Sequence, residues 1–333
     1  MRALVSRLRA GATALLALAL IVGSGAGATA QTDPAAAYPS RIIKIVVGFA
    51  AGGGNDIIAR IIGQKLQDEF AQTVLIENKV GAGGSLAALA VMTAPPDGYT
   101  LLVGASGAMS VIPAISVKPP YDTLKEFTPV SMLASFPLIL SVYPAHPAKN
   151  LQELVAWMKA NPDKANYATS SFAFTLATEL FKLRSGAPGT GIPYKSSNEM
   201  LISVVGGQSL FTIADPPPTV PQVKGGKVRA LAVTSDTRLE DLPDVPTMAE
   251  AGVAGVNVGL WSGIFVPAAT PPGIVKKLEG ALRKIMQMAD AKEKFRAMAT
   301  PTVGGTSQEF IRIIDTETKM WQEVGRTANV KIE

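Results

Sequence analysis

The stretch Ile42-Ile43-Lys44-Ile45-Val46-Val47-Gly48-Phe49-Ala50-Ala51-Gly52-Gly53-Gly54-Asn55-Asp56-Ile57-Ile58 decides the fold class. Ile42 to Val47 is a β-branched run that predicts a buried strand. The glycines then break the chain. Beyond them Ile57, Ile58, Ile61, Ile62, Leu66 and Phe70 recur at helical spacing and predict an amphipathic helix. The same unit recurs downstream. Val74 to Ile76 reads as a strand, Gly81 to Ser85 as a loop before an alanine-rich helix, and Tyr99 to Val103 as a strand ending in Gly104-Ala105-Ser106-Gly107. Further strands are expected at Leu138–Val142, Asn166–Thr169, Leu210–Ala214 and Arg229–Thr234, and helices at Leu151–Ala160 (capped by Asn150), Pro272–Met288 and Ser307–Gly325. Strand, small-residue loop and helix in alternation predict an α/β fold of mostly parallel sheets flanked by helices.

Upstream, Arg2, Arg7 and Arg9 precede an apolar run from Ala10 to Val22, and small residues end in Ala28-Thr29-Ala30. A basic head, a short apolar core and an A-x-A site predict a signal peptide over residues 1–30, cleaved after Ala30. The run is shorter than the roughly 20 apolar residues that span a bilayer. Export to the periplasm is expected. Cleavage removes those arginines and takes the net charge from +5 to +2, which leaves no nucleic-acid footprint. With no cysteine there is no disulfide, no thiol chemistry and no lipid anchor. The single histidine, His146, sits in the proline-bracketed turn Tyr143-Pro144-Ala145-His146-Pro147 and reads as exposed; no metal site and no cofactor is expected. The remaining chain, about 300 residues, suggests two lobes rather than one core. No linker marks mid-chain, so the chain is expected to cross between the lobes more than once. The three tryptophans read as core.

Ligands of open α/β sheets bind at the carboxyl ends of the strands, where these loops lie. The first loop, Phe49 to Asn55, leads into a helix N-terminus, whose free amides suit a phosphate or carboxylate; the glycines equally suit a plain tight turn. A dinucleotide fingerprint fails because Ile57 and Leu86 stand where a third small residue is needed, and no P-loop lysine follows. Gly104-Ala105-Ser106-Gly107-Ala108 falls one glycine short of a nucleophile elbow, and no base accompanies Ser106. Ser106 reads as a hydrogen-bond donor or a helix N-cap. Asp215 either caps the helix opening at Pro216 or lines the cleft, and Asp56 reads as a first-turn acid.

Several segments in order resemble one family: Tyr38-Pro39-Ser40 before the first strand, Phe49-Ala50-x-Gly52-Gly53-Gly54-x-Asp56, Glu77-Asn78-Lys79-x-Gly81-Ala82-Gly83-Gly84 and Ala94-Pro95-Pro96-Asp97-Gly98-Tyr99-Thr100-Leu101-Leu102. Pro193-Tyr194-Lys195, Gly206-Gly207-Gln208, Leu231-Ala232-Val233-Thr234-Ser235 and Leu242-Pro243-Asp244-Val245-Pro246-Thr247 continue the match. The chain resembles the extracytoplasmic solute receptors of tripartite tricarboxylate transporters, the Bug family. The resemblance implies a two-lobed type II periplasmic-binding-protein fold, with residues 38–138 and 262–333 as one lobe and 139–261 as the other. It implies a hinged, monomeric receptor that delivers a small carboxylate to one large and one small membrane subunit. By the same resemblance, Phe49, Gly52, Gly53, Gly54 and Asn55 grip a ligand carboxylate from one lobe. Ser170, Ser171, Phe172 and Thr175 face it from the other, with Ser106 and Asp215 near the cleft. The chain departs from the family pattern at Gly48 and Ala51, where proline is usual. It departs again at Phe172 and Phe174, which stand where the family is glycine-rich and either form an apolar wall for a larger or aromatic acid or point into the lobe's own core. A sensor-kinase receptor is the alternative function, and a periplasmic enzyme a more distant one.

Overall fold

A computed structural model describes residues 35–328. The first sheet takes β1 (Ile43–Val47), β2 (Val74–Asn78), β3 (Thr100–Ala105), β4 (Phe127–Pro137) and the late strand β10 (Gly259–Pro267), in the order β2-β1-β3-β10-β4. The second takes β5 (Ile139–Val142), β6 (Asn166–Thr169), β7 (Thr190–Pro193), β8 (Phe211–Ala214) and β9 (Arg229–Val233), in the order β7-β6-β8-β5-β9. Within the first sheet β1 pairs in parallel with β2 and β3, and β10 runs antiparallel to β3 and β4. In the second, β6 is parallel to β7 and β8, while β5 runs antiparallel to β8 and β9. The two-lobed α/β architecture expected from the alternating pattern is present.

The longer helices are α1 (Gly54–Phe70), α2 (Ser85–Met92), α3 (Leu151–Ala160), α4 (Phe172–Ser185), α5 (Ser197–Val205), α6 (Pro216–Lys224), α7 (Pro272–Gln287), α8 (Ala289–Arg296) and α9 (Ser307–Ala328). Of the stripe that its spacing predicts, helix α1 buries Ile58, Ile62 and Leu66, together with Ala59, and leaves Ile57, Ile61 and Phe70 half-buried. Asn150 caps α3 by accepting from the Glu153 amide at 2.9 Å. Helices α7 and α9 pack on β4, and α4 and α5 pack on β8. The strands β4 and β10 escape pattern reading because both are buried almost end to end and carry no alternation of polar and apolar residues. They are also the strands that join the lobes. A single residue, Leu138, separates β4 from β5, and Val258 precedes β10.

Thr234 ties the two crossings together. Its hydroxyl accepts from the Leu138 amide at 2.7 Å and donates to the Val258 carbonyl at 2.6 Å. Its backbone bonds both again, through the Leu138 carbonyl at 2.9 Å and the Val258 amide at 3.1 Å.

His146 corrects a sequence expectation, for it is fully buried rather than exposed. Its turn folds back beneath α3, where the imidazole meets Tyr143 and Trp157 edge to face at centroid distances of 5.2 and 5.1 Å. Nδ1 accepts from the Ala148 amide at 3.1 Å, which makes Nε2 the protonated nitrogen of the neutral ring. Burial, with the Arg229 charge nearby, holds its pKa below the ordinary value. Trp261 and Trp321 are buried, and Trp157 packs against the main core. The signal peptide expected over residues 1–30 lies outside the described residues.

Candidate functional site

The first glycine loop is held from behind. Asp56 accepts from the Gly52 amide, from Arg60 Nε and Nη2 and from Asn78 Nδ2, each at 2.9 Å. Burial pushes the Asp56 carboxyl up, but the hydrogen bonds from Arg60, Gly52 and Asn78 outweigh it and leave its pKa below the usual value. Asn78 also donates to the Phe49 carbonyl at 2.9 Å, and Ser262 donates to Asn55 Oδ1 at 2.6 Å. Asp56 is therefore the clamp of the loop as well as a first-turn acid. Gly52 takes a φ of 81°, a left-handed conformation that suits glycine. Gly48, one of the departures from the family pattern, is a point of backbone contact: a Cβ there would lie 2.6 Å from Gly84 Cα. No side chain caps α1, so its first-turn amides are left to other partners.

Those amides meet the second lobe. Gly54 N lies 3.3 Å from Ser197 Oγ, and Ala50 N donates to the Lys195 carbonyl at 3.2 Å. Gly54 packs so closely on Asp215 that a Cβ would fall 1.7 Å from its Oδ2. The lobes are closed on one another here. Asp215 is 1% exposed and makes no side-chain capping bond to α6. Burial pushes its carboxyl up to about 6, against the opposing pull of the Ser197 hydroxyl and the amides of Asp215 and Gly54. Its Oδ1 is buried with no partner.

The other contact joins the loop after β3 to the start of α4. Ser106 opens a wide π turn over Gly107–Val111, a geometry common at functional sites. A Cβ on Gly107 would lie 3.0 Å from Ala173 Cβ and 3.5 Å from Ser171 Oγ. The hydroxyls of Ser106 and Ser170 are both buried without a partner, and Ser171 leaves α4 uncapped. Thr175 is half-buried, and its hydroxyl donates to the Ser171 carbonyl at 3.1 Å and sits 2.9 Å from Thr169 Oγ1. The two phenyl rings part company. Phe174 is 6% exposed and belongs to the lobe's own core, whereas Phe172 is 36% exposed and faces the second glycine loop, 3.3 Å from a Cβ on Gly83.

Residues missed in the sequence include Asn78, Ser262 and the segment Lys195-Ser196-Ser197-Asn198. The last had a readable signal. Ser196 accepts from the Glu199 amide at 3.3 Å and Glu199 accepts from the Lys195 amide at 3.1 Å, a variant of the capping box, with the return bond one residue before the cap, that fixes where Ser197 points. Among the described residues no group of three or more His, Cys, Asp or Glu could hold a metal.

The arrangement joins uncapped helix starts and unpartnered hydroxyls, all donors, to one buried carboxyl. Residues 58–330 match the family described as the tripartite tricarboxylate transporter family receptor. Protein BugT of Bordetella pertussis (strain Tohama I) is 34% identical over 328 residues, which cover 96% of this chain and 99% of that protein. Among solved structures, R. palustris Rpa4515 with adipate matches with a TM-score of 0.84 at 33% identity, covering 88% of this chain and 98% of that one. MatC from Rhodopseudomonas palustris with bound malate matches with a TM-score of 0.83 at 32% identity, covering 86% and 99%. The chain belongs to the tripartite tricarboxylate transporter receptor family, the Bug family of solute-binding receptors.

Proposed function

We propose that this receptor captures a small carboxylate between its lobes and hands it to a membrane transporter of one large and one small subunit. The observation that carries the reading is the set of buried, unpartnered hydroxyls of Ser106 and Ser170 where the lobes meet, beside the uncapped starts of α1 and α4. A carboxylate accepts from hydroxyls and helix-start amides at once. The adipate and malate of the relatives named above support the same chemical class. Ligand contacts are assigned to Phe49, Gly52, Gly53, Gly54 and Asn55 from one lobe and to Ser170, Ser171, Phe172 and Thr175 from the other, with Ser106 and Asp215 between. Phe172 supplies the apolar wall without Phe174.

The moving bodies are residues 38–138 with 262–333, and 139–261. The bonding of Val258 to Thr234 and the pairing of Gly259 with Pro137 support a second crossing within a few residues of that boundary. Binding closes the hinge at Leu138 and Val258, and the closed form docks on the membrane subunits. The protein is exported, cleaved near Ala30 and acts as a monomer without turnover of its ligand.

Thermal unfolding of the chain from Gln31, with panels of dicarboxylates, tricarboxylates, amino acids and aromatic acids, tests the reading. A ligand at 100 times its Kd stabilises the folded state by about 2.7 kcal/mol, a shift of a few degrees in Tm. A folded, ligand-free protein that no carboxylate shifts would overturn it.

A further inference from the structure

The unpartnered serine hydroxyls and uncapped helix-start amides near the lobe contact can donate hydrogen bonds, whereas an ionised Asp215 can only accept. Its Oδ2 lies against Gly54, and its Oδ1 is buried without a partner. Among the described residues no lysine, arginine or histidine forms an ion pair with it. Nor does the side chain cap α6, since no capping bond is made and the Asp215 carbonyl, not the carboxyl, takes the Thr219 hydroxyl at 2.6 Å. A buried carboxyl with a bare oxygen carries a desolvation penalty that a donor relieves. A simple aliphatic diacid satisfies the hydroxyls and amides but brings nothing for Oδ1. It also sets its own negative charge beside that of Asp215.

We propose that Asp215 is the specificity residue of the cleft. Among small carboxylates it selects those that also carry a hydroxyl or ammonium group placed to donate to Oδ1. This inference rests on the carboxylate reading above. The carboxylate of such a ligand lies toward the starts of α1 and α4, and its second polar group lies toward the start of α6. The raised pKa of Asp215, about 6, leaves the side chain ionised at pH 7.5 and ready to accept.

The test is calorimetric titration of the chain from Gln31 at pH 7.5 with two matched series: succinate, malate and aspartate; and 3-phenylpropionate, 3-phenyllactate and phenylalanine. In whichever series binds, the hydroxy or amino member is expected to bind roughly 10- to 100-fold tighter than the unsubstituted acid, as a hydrogen bond to a charged group allows. Asp215→Ala is expected to bring the members of that series within about threefold of one another. Asp215→Asn, nearly isosteric, guards against a folding defect and separates the donors: its amide oxygen keeps the preference for hydroxyl, whereas the preference for ammonium weakens with the loss of the opposite charge. An unsubstituted acid that binds as tightly as its partners overturns the inference and leaves the carboxylate reading standing. So does a preference that survives in Asp215→Ala. If none of the six acids binds the folded protein, the inference is overturned, and the wider thermal-unfolding panel decides the carboxylate reading separately.

Discussion

The loop Phe49–Asn55 of the first lobe and the loops of the second lobe meet at one surface but are built in opposite ways. The first is finished before any ligand arrives: Asp56 and Asn78 hold Gly52 and Phe49, and Ser262 holds Asn55. What it offers is backbone. The second lobe leaves Ser170 Oγ and Asp215 Oδ1 buried without partners, so what it offers is side chains. A backbone surface suits any anion, because amide donors are the same for every residue. Unpartnered side chains carry the chemistry that distinguishes one anion from another.

The largest expected effect lies where the two constructions touch. Gly54→Ala places a methyl group 1.7 Å from Asp215 Oδ2 and forbids the closed form. Ligand affinity should fall at least about 100-fold while Tm without ligand changes by only a few degrees, as calorimetry will read. Unchanged affinity would mean that the lobes do not close at Gly54.

Asp56→Ala tests whether the first loop is preformed. It strips the loop of its clamp and should cost about 2 kcal/mol in urea unfolding, the scale of hydrogen bonds to a charged group. Because the folded pKa of Asp56 is depressed, its contribution is present above the unfolded value of 3.8 and is lost as the pH falls through the folded value. Wild type should therefore lose its advantage over the variant below about pH 4. An advantage that persists in acid would show that packing, not charge, holds the loop.

Thr234→Val removes the hydroxyl that joins the two crossings, and should cost about 1–2 kcal/mol with ligand preference unaltered. A change of preference would place the hinge in the recognition surface and blur the division of labour.

The smallest effect belongs to His146, inside the second lobe and away from the cleft. Its imidazole is buried neutral, so the unfolded chain takes up the proton first as the pH falls below 6.5. Stability should decline below that pH by at most about 1.4 kcal/mol per pH unit, and His146→Phe should flatten the decline without changing ligand affinity.

The fold was legible wherever a local pattern repeats. The isoleucine stripe of α1, the cap at Asn150 and the strand Asn166–Thr169 all stand where spacing placed them. The strands β4 and β10 were not legible, since a strand buried on both faces has no period to read. For the site, residue type located the loops but not the state of each group within them. Asp56 and Asp215 both stand at helix starts that follow a strand, yet four hydrogen bonds satisfy one and none reaches Oδ1 of the other.

Spacing, caps and an ordered set of short motifs are local properties, and the sequence alone determined from them the alternation of elements, the two glycine loops and the family. Tertiary structure alone decided which polar groups found partners. It buried His146 under Trp157, set Phe174 in the core and Phe172 at the second glycine loop, and brought Ser197 from a capping box to Gly54. The physical reason is distance along the chain. Ser197 is 143 residues from Gly54, and the partner of a buried polar atom is fixed by how the lobes pack, which no local pattern records.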